Sequence, residues 1–200
     1  MKYISTRFKI KPVNSAEAIL QGLAPDGGLF VPESIPKMKM DEIGKLVDLP
    51  YAKCAGTILK KFLTDYTEDE LFECAELAYN WFDVPSKVPL SILVNDPKNP
   101  KFPIGVAELW HGPTSAFKDL ALQILPRLMS LALHKTGETK EILILVATSG
   151  DTGKAALAGF ANVPQTKIMV FYPNGGVSKI QRLQMVTQIG YNVNVTAVNG

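Results

Sequence analysis

The sequence has few of the features that mark secreted, membrane-bound or nucleic-acid-binding proteins. Its two cysteines, Cys54 and Cys74, lie in amphipathic helical patterns without metal-ligand spacing, which favours buried thiols over a disulfide or a zinc site. No run approaches the roughly 20 apolar residues of a membrane span, and the amino terminus lacks a signal-peptide pattern. The net charge of +2 shows no basic excess of the kind that nucleic-acid binding requires. We therefore expect a cytoplasmic protein without a metal ion, membrane contact or nucleic-acid partner.

The first part of the chain, residues 1–98, has the pattern of a mostly helical domain. The apolar spacing predicts helices over 15–22, 51–63 and 67–82. Ser15 is the expected cap of the first helix, and Thr67 with Glu70 forms the expected capping box of the third. Between the first two helices, an Asp-Gly-Gly sequence predicts a tight turn before a short apolar strand.

The second part, residues 99–200, has the alternation of an α/β protein. Strands are predicted over 104–109, 142–147, 167–172 and 191–198, and helices over 118–134, 153–161 and 178–189. The strand 142–147 is apolar throughout, as in a parallel sheet that is covered on both faces. Pro126 should kink the helix in which it lies. The fold class is therefore α/β, with a helical amino-terminal domain followed by part of a wound, mostly parallel sheet.

One lysine occupies a position where its charge would be unfavourable. Lys118 follows the turn at Gly112-Pro113 and opens a predicted helix. Because a helix N-terminus carries about half a positive charge, it should lower the pKa of a lysine held there. A neutral lysine amine can attack a carbonyl and form a Schiff base. The alternative, which is commoner for a lone lysine, is a solvated side chain in the first turn.

Two further loops follow predicted strands and lead into helices, where free backbone amides can bind anions. The first loop consists of Thr148, Ser149, Gly150, Asp151, Thr152 and Gly153. It is neither a Walker loop, because Ala155 replaces the metal-binding hydroxyl, nor a dinucleotide fingerprint. The second loop leads to Ser178, Lys179 and Arg182. In the simpler interpretation, the first is an ordinary turn and the second is a capped helix with two solvated bases. His111 alone is more typical of a hydrogen-bonded structural residue.

Taken together, these motifs resemble the threonine synthase family of pyridoxal-phosphate enzymes, which have the tryptophan synthase β-subunit fold (fold type II). The family's lysine motif, His-Gly-Pro-Thr-x-Ala-Phe-Lys-Asp, matches residues 111–119 at every fixed position. Its Thr-Ser-Gly-Asp-Thr-Gly motif matches residues 148–153. Its amino-terminal Ser-Thr-Arg and Gly-Leu-Ala-x-Asp-Gly-Gly-Leu-x-Val-Pro motifs match residues 5–7 and 22–32.

The resemblance implies a reaction and a role for each candidate residue. Lys118 would hold pyridoxal 5'-phosphate as a Schiff base and move protons at Cα and Cβ of O-phospho-L-homoserine, which loses phosphate and gains water to give threonine. The 148–153 loop would bind the substrate carboxylate, with Asp151 near the ring hydroxyl of the cofactor. Ser178, Lys179 and Arg182 are the candidates for the substrate phosphate.

The resemblance also implies a domain division and an incomplete site. Residues 1–98 would form the family's amino-terminal domain, and residues 99–200 would form the first part of its catalytic domain. Because members of the family are longer, we expect this chain alone to be an inactive fragment that lacks the loop for the cofactor phosphate. The alternatives are a threonine-synthase-like phospholyase acting on another phosphorylated amine, a nucleotide-binding α/β module, and a non-catalytic interaction module.

Overall fold

The fold is that of a computed structural model that describes residues 1–94 and 104–199. Its strands are β1 (Tyr3–Ser5), β2 (Phe30–Pro32), β3 (Leu90–Val94), β4 (Ile104–Ala107), β5 (Ile142–Ala147), β6 (Thr166–Pro173) and β7 (Val193–Val198). Its helices are α1 (Ser15–Gln21), α2 (Met40–Gly44), α3 (Tyr51–Phe62), α4 (Glu68–Tyr79), α5 (Asp119–Leu122), α6 (Leu125–Thr136), α7 (Asp151–Phe160) and α8 (Lys179–Val186). The expected domain boundary between residues 98 and 99 lies outside the described residues.

The amino-terminal part is built around the close packing of α3 on α4. The predicted capping box of α4 is confirmed: the Glu70 amide donates to Thr67 Oγ1 over 3.2 Å, and the Thr67 amide donates to Glu70 Oε2 over 2.7 Å. The predicted cap of α1 is wrong. Asn14 is the cap, and Ser15 is instead the first helical residue, with its hydroxyl bonded to the Asp65 carboxylate.

The carboxyl-terminal part contains the predicted parallel sheet, and its strands lie in the order β5-β6-β7. Alternate residues of these strands pack into a core with α7 and with Met185 of α8. The opposite face of the sheet is open, since Leu143 is 57% exposed and Leu145 is 64% exposed. Within the described residues, the helices that pack on this sheet share one core with it, so β5 is covered on one face only, although its apolar pattern is typical of a strand covered on both.

Two further expectations about this part need correction. The strand predicted over 104–109 is β4, but it pairs antiparallel with β3, which the sequence pattern did not indicate, and the two form a separate sheet. The helix predicted over 118–134 is divided into α5 and α6. Pro126 lies in the first turn of α6. Backbone amides in the first turn of a helix have no intrahelical acceptor, so the absence of an amide proton on proline costs no hydrogen bond there. Instead of a kink within one helix, α5 ends and α6 begins, with Gln123 and Ile124 between them in the αR conformation.

Among the described residues, no helix is long and apolar enough to cross a membrane. Nor does any group of histidine, cysteine, aspartate and glutamate side chains in residues 1–94 and 104–199 have the arrangement of a metal site.

Candidate active site

Lys118 lies immediately before α5, at the end of a loop that the next residue holds in place. The carboxylate of Asp119 is fully buried and accepts two hydrogen bonds from Thr114, one from the amide and one from Oγ1, each of 2.8 Å. Gly112 packs directly on this carboxylate, because a Cβ atom at that position would lie 2.5 Å from the Cβ of Asp119. These contacts tie Gly112 and Thr114 to the first residue of α5, directly beside Lys118.

The amine of Lys118 has an uncommon environment for a lysine. The side chain is half-buried, and Nζ lies 4.4 Å from the centre of the Phe117 ring. Within the described ranges, no carboxylate forms an ion pair with it. The predicted position at the start of a helix is confirmed, although α5 has only four residues. The amine is thus held beside an aromatic ring without an acidic partner to occupy it.

The 148–153 loop connects β5 to α7 and is organised by its first residue. Thr148 Oγ1 accepts hydrogen bonds from the amides of Gly150 and Gly153 over 3.1 and 3.2 Å. A Cβ atom on Gly153 would lie 2.3 Å from Thr148 Cγ2, so only glycine fits there. Ser149 and Thr152 are exposed, and their hydroxyls have no hydrogen-bond partner among the described residues. Thr148 therefore shapes the loop, whereas Ser149 and Thr152 are free to bind a ligand.

Gln181, which no sequence motif indicated as a site residue, joins the amino end of α8 to this loop. Gln181 Nε2 donates to Asp151 Oδ1 over 2.9 Å, and the same side chain lies against Gly150, where a Cβ atom would be 2.6 Å from Nε2. Gln181 is also the third residue of α8 and closes its capping box, bonded reciprocally to Ser178. The only sequence signal for this role was the Ser-x-x-Gln spacing, which indicates a cap but not the contact with Asp151.

The three residues predicted to bind phosphate fall into two groups: Ser178 caps a helix, whereas Lys179 and Arg182 are exposed cations. Ser178 caps α8, as the simpler interpretation of the sequence had it, because its Oγ accepts the Gln181 amide over 3.2 Å. Lys179 and Arg182 are exposed and form no ion pair within the described residues. Two cations without partners therefore lie in the first turns of α8, next to the 148–153 loop.

Close packing of α5 on α7 brings the two loops to the same side of the molecule. Gly159 of α7 is required at the contact, since a Cβ atom there would lie 1.9 Å from the carbonyl oxygen of Leu122. At the other end of α5, the Asp119 carboxylate lies near the Lys154 amine. Burial lowers the pKa of Lys154, and the negative charge of Asp119 offsets part of this effect. Because Asp119 is near the start of α7 and Leu122 near its end, the helices run in the same direction. Lys118 and the 148–153 loop, which precede them, therefore lie at one end.

His111 is held between two carboxylates and has a structural role, as its residue type suggested. Its Nδ1 is 2.7 Å from Asp83 Oδ1, and its Nε2 is 2.7 Å from Glu108 Oε2. The hydrogen bond with Glu108 is the main cause of a raised pKa of His111, to which Asp83 also contributes. Glu108, in turn, has a lowered pKa, mainly because Ser91 donates to it. This ion cluster connects the segment after α4, the paired strands β3 and β4, and the loop that leads to Lys118.

Comparison with known proteins gives a consistent set of similarities. Residues 2–79 match the family described as "Threonine synthase N terminus". The whole chain is 40% identical over 201 residues to 41% of the threonine synthase of Pseudomonas aeruginosa. It is also 36% identical over 202 residues to 40% of human threonine synthase-like 2.

Solved structures show the same relation. A PLP-bound threonine synthase from Brucella melitensis superimposes on the whole chain with a TM-score of 0.88 and 35% identity, and the chain covers 41% of it. The yeast threonine synthase structure gives the same score and identity, with 40% of that chain covered. The chain thus spans about two fifths of the length of the relatives that it matches.

Proposed function

Because this chain belongs to the threonine synthase family, we propose that it provides the lysine and the substrate-binding loops of a pyridoxal 5'-phosphate-dependent threonine synthase. In this proposal, Lys118 holds the cofactor, and the substrate is O-phospho-L-homoserine. The observation that carries it is the placement of Lys118, at the end of a loop held by Asp119 and on the same side as the 148–153 loop. The two halves of the site match the family's two motifs.

The residues present are suited to an aldehyde-bearing cofactor. A half-buried primary amine that no described carboxylate engages can attack the aldehyde carbon. When bound, pyridoxal phosphate would supply an electron sink for the charge that develops at the substrate Cα. The amine of Lys118 would also be placed to accept the proton from the substrate Cα and to move protons at Cβ as phosphate leaves Cγ and water adds at Cβ.

The other candidate residues would bind and orient the substrate. Ser149 and Thr152, with free hydroxyls at the amino end of α7, are placed to bind the carboxylate, which the helix dipole also favours. We assign Thr148, Gly150 and Gly153 to shaping this loop and exposing its amides, and Asp151 to the cofactor side, where Gln181 orients its carboxylate.

The phosphate of the substrate would bind at the start of α8. Lys179 and Arg182 are cations without described partners there, and charge-assisted hydrogen bonds to phosphate are among the strongest that proteins form. Ser178 can still donate its hydroxyl proton, since its oxygen is used only as an acceptor in the cap.

A second candidate function keeps the cofactor and changes the substrate. The chain is as similar to human threonine synthase-like 2 as it is to the threonine synthase of Schizosaccharomyces pombe, at 36% identity each. A phospholyase acting on another phosphorylated amine would use the same lysine and loops. Assays of phosphate release from phosphohomoserine and from phosphoethanolamine, run side by side, separate the two functions.

The experiment that tests the lysine assignment is reductive trapping. The complete natural protein that carries this sequence is incubated with pyridoxal phosphate, reduced with borohydride and mapped by mass spectrometry. We expect the label on Lys118, and Lys118→Ala should lose both the label and turnover because no other described amine is placed in this loop. Label on Lys154 or Lys179 in the unmodified protein would contradict the assignment.

A further expectation concerns these 200 residues by themselves. We propose that they neither form threonine nor bind the cofactor tightly, because they span about two fifths of the matched relatives and leave one face of the sheet open. Phosphate release from phosphohomoserine at the rate of a threonine synthase would show that this expectation is wrong.

A further inference from the structure

A cavity of about 480 Å³ lies along α7, on residues that the proposed mechanism does not use. Its walls come from the junction of α5 and α6 (Gln123 and Arg127), from the first turn of α7 (Lys154), and from residues after α7 and α8 (Asn162 and Gln188). Neither Lys118 nor the 148–153 loop lines it. The volume is in the range of about 300–1,000 Å³ that is usual for small-molecule sites.

Among the residues that the structure describes, two cations and no carboxylate line the cavity. Arg127 and Lys154 both border it, and neither forms an ion pair in the part of the chain that the structure describes. Lys154 Nζ donates to Gln188 Oε1 over 2.5 Å, which leaves two of its protons for another acceptor. Burial lowers the pKa of both cations, so each would gain from a nearby negative charge.

Two buried donors at the cavity lack partners. Gln123 is only 3% exposed, and its Nε2 has no hydrogen-bond acceptor among the described residues; the same holds for Nε of Arg127. Buried polar groups without partners are rare in folded proteins, because the desolvation cost is not compensated. Both belong to side chains that line the same cavity, but the two atoms themselves are shielded from solvent, so the positive charges of Arg127 and Lys154 are the groups that would attract a ligand.

We propose that this cavity binds a small organic anion that carries a phosphate or carboxylate group. The planar guanidinium of Arg127 suits the paired oxygens of either group, and Lys154 adds a second positive charge. Pro113, Ala158 and the ring of Trp81, which is 69% exposed, provide apolar surface for the remainder of the molecule. The site is separate from the proposed substrate site and does not depend on it.

The indole of Trp81 allows a direct test with the chain as it stands. The sequence has two tryptophans, so Trp110→Phe leaves Trp81 as the only one. The fluorescence of this protein is titrated with inorganic phosphate, and separately with succinate, at constant ionic strength. We expect a saturable change with at least one of the two anions, and an increase of at least tenfold in its Kd when Lys154→Gln or Arg127→Gln is added.

Matched variants locate the response. Lys140→Gln removes the same charge from an exposed position outside the cavity and should leave Kd unchanged. Arg182→Gln removes a cation of the proposed substrate site and should also leave it unchanged. Absence of a saturable response to both anions would overturn the proposal, as would a response that survives Lys154→Gln but is lost in Arg182→Gln. Because no cofactor or turnover is needed, failure here is distinguishable from failure of the proposed function.

Discussion

Removal of the Asp119 carboxylate should destabilise the loop before Lys118 by an amount that depends on what replaces it. The fully buried carboxylate accepts two hydrogen bonds of 2.8 Å from Thr114. Asp119→Ala leaves a buried amide and a buried hydroxyl without their acceptors. Since hydrogen bonds to a charged group contribute about 1.5–3 kcal/mol each, we expect the free energy of unfolding to fall by roughly 3–5 kcal/mol.

Asp119→Asn is the matched control, because it has nearly the same shape. Its carbonyl oxygen can accept the Thr114 amide, and its NH₂ group can donate to the Thr114 hydroxyl, which rotates to accept it. Only the charge is lost, so we expect a cost of about 1 kcal/mol. Urea unfolding monitored by circular dichroism gives both values, and unchanged m-values would show that only stability has changed.

The same pair of variants separates loop geometry from overall stability. In the complete natural protein, trapping of pyridoxal phosphate on Lys118 should be much weaker for Asp119→Ala than for Asp119→Asn under conditions where both are folded. If the asparagine variant lost as much stability as the alanine variant, or if alanine cost less than about 1 kcal/mol, the two hydrogen bonds would not hold the loop as argued.

Three further predictions concern the loop, the ion cluster and the open face of the sheet. Thr152→Val keeps the shape of the 148–153 loop and removes a donor, so it should weaken substrate binding by about 1–3 kcal/mol; unchanged affinity in the complete protein, with an unchanged circular dichroism spectrum, would contradict that role. The raised pKa of His111 means that its contribution to stability is present below about pH 6.5 and is lost as the pH rises through the folded-state value. The thermal midpoint should therefore fall over that interval in the unmodified chain, and His111→Gln should flatten this part of the profile; equal slopes would exclude the cluster as the cause. Leu145→Lys, on the open face, should reduce self-association of the 200-residue chain in sedimentation experiments with little loss of stability, whereas Leu145→Val, which keeps the surface apolar, should not.

The parts of the structure that local interactions determine could be predicted from the sequence. The capping box at Thr67, a disturbance of the helix at Pro126 and the order β5-α7-β6-α8-β7 each follow from residues close together in the chain. The position of Lys118 before a helix could be predicted for the same reason. Apolar periodicity, caps and proline act over one or two turns, so their signals are complete within a short segment.

The predictions that were wrong concerned sequence patterns that are compatible with more than one structure. Asn14 and Ser15 are both good caps, and the hydroxyl of Ser15 is instead used by Asp65, about fifty positions away. The apolar strand β5 is compatible with burial on either or both faces, and only the placement of the helices left Leu143 and Leu145 exposed. The residues of β4 have a pattern typical of a strand, but the alternation of strands and helices along the chain did not identify β3 as its partner.

The candidate site also has features that the local sequence indicates and others that depend on tertiary contacts. The sequence alone was sufficient to select Lys118 and the 148–153 loop as candidates, because their motifs are contiguous. Only the tertiary structure brought Gln181 to Asp151, thirty residues away, and placed Arg127 and Lys154 around one cavity. Contacts between distant segments depend on how helices pack, and helix packing is decided by the fit of whole surfaces such as the one at Gly159 and Leu122, which no local pattern specifies.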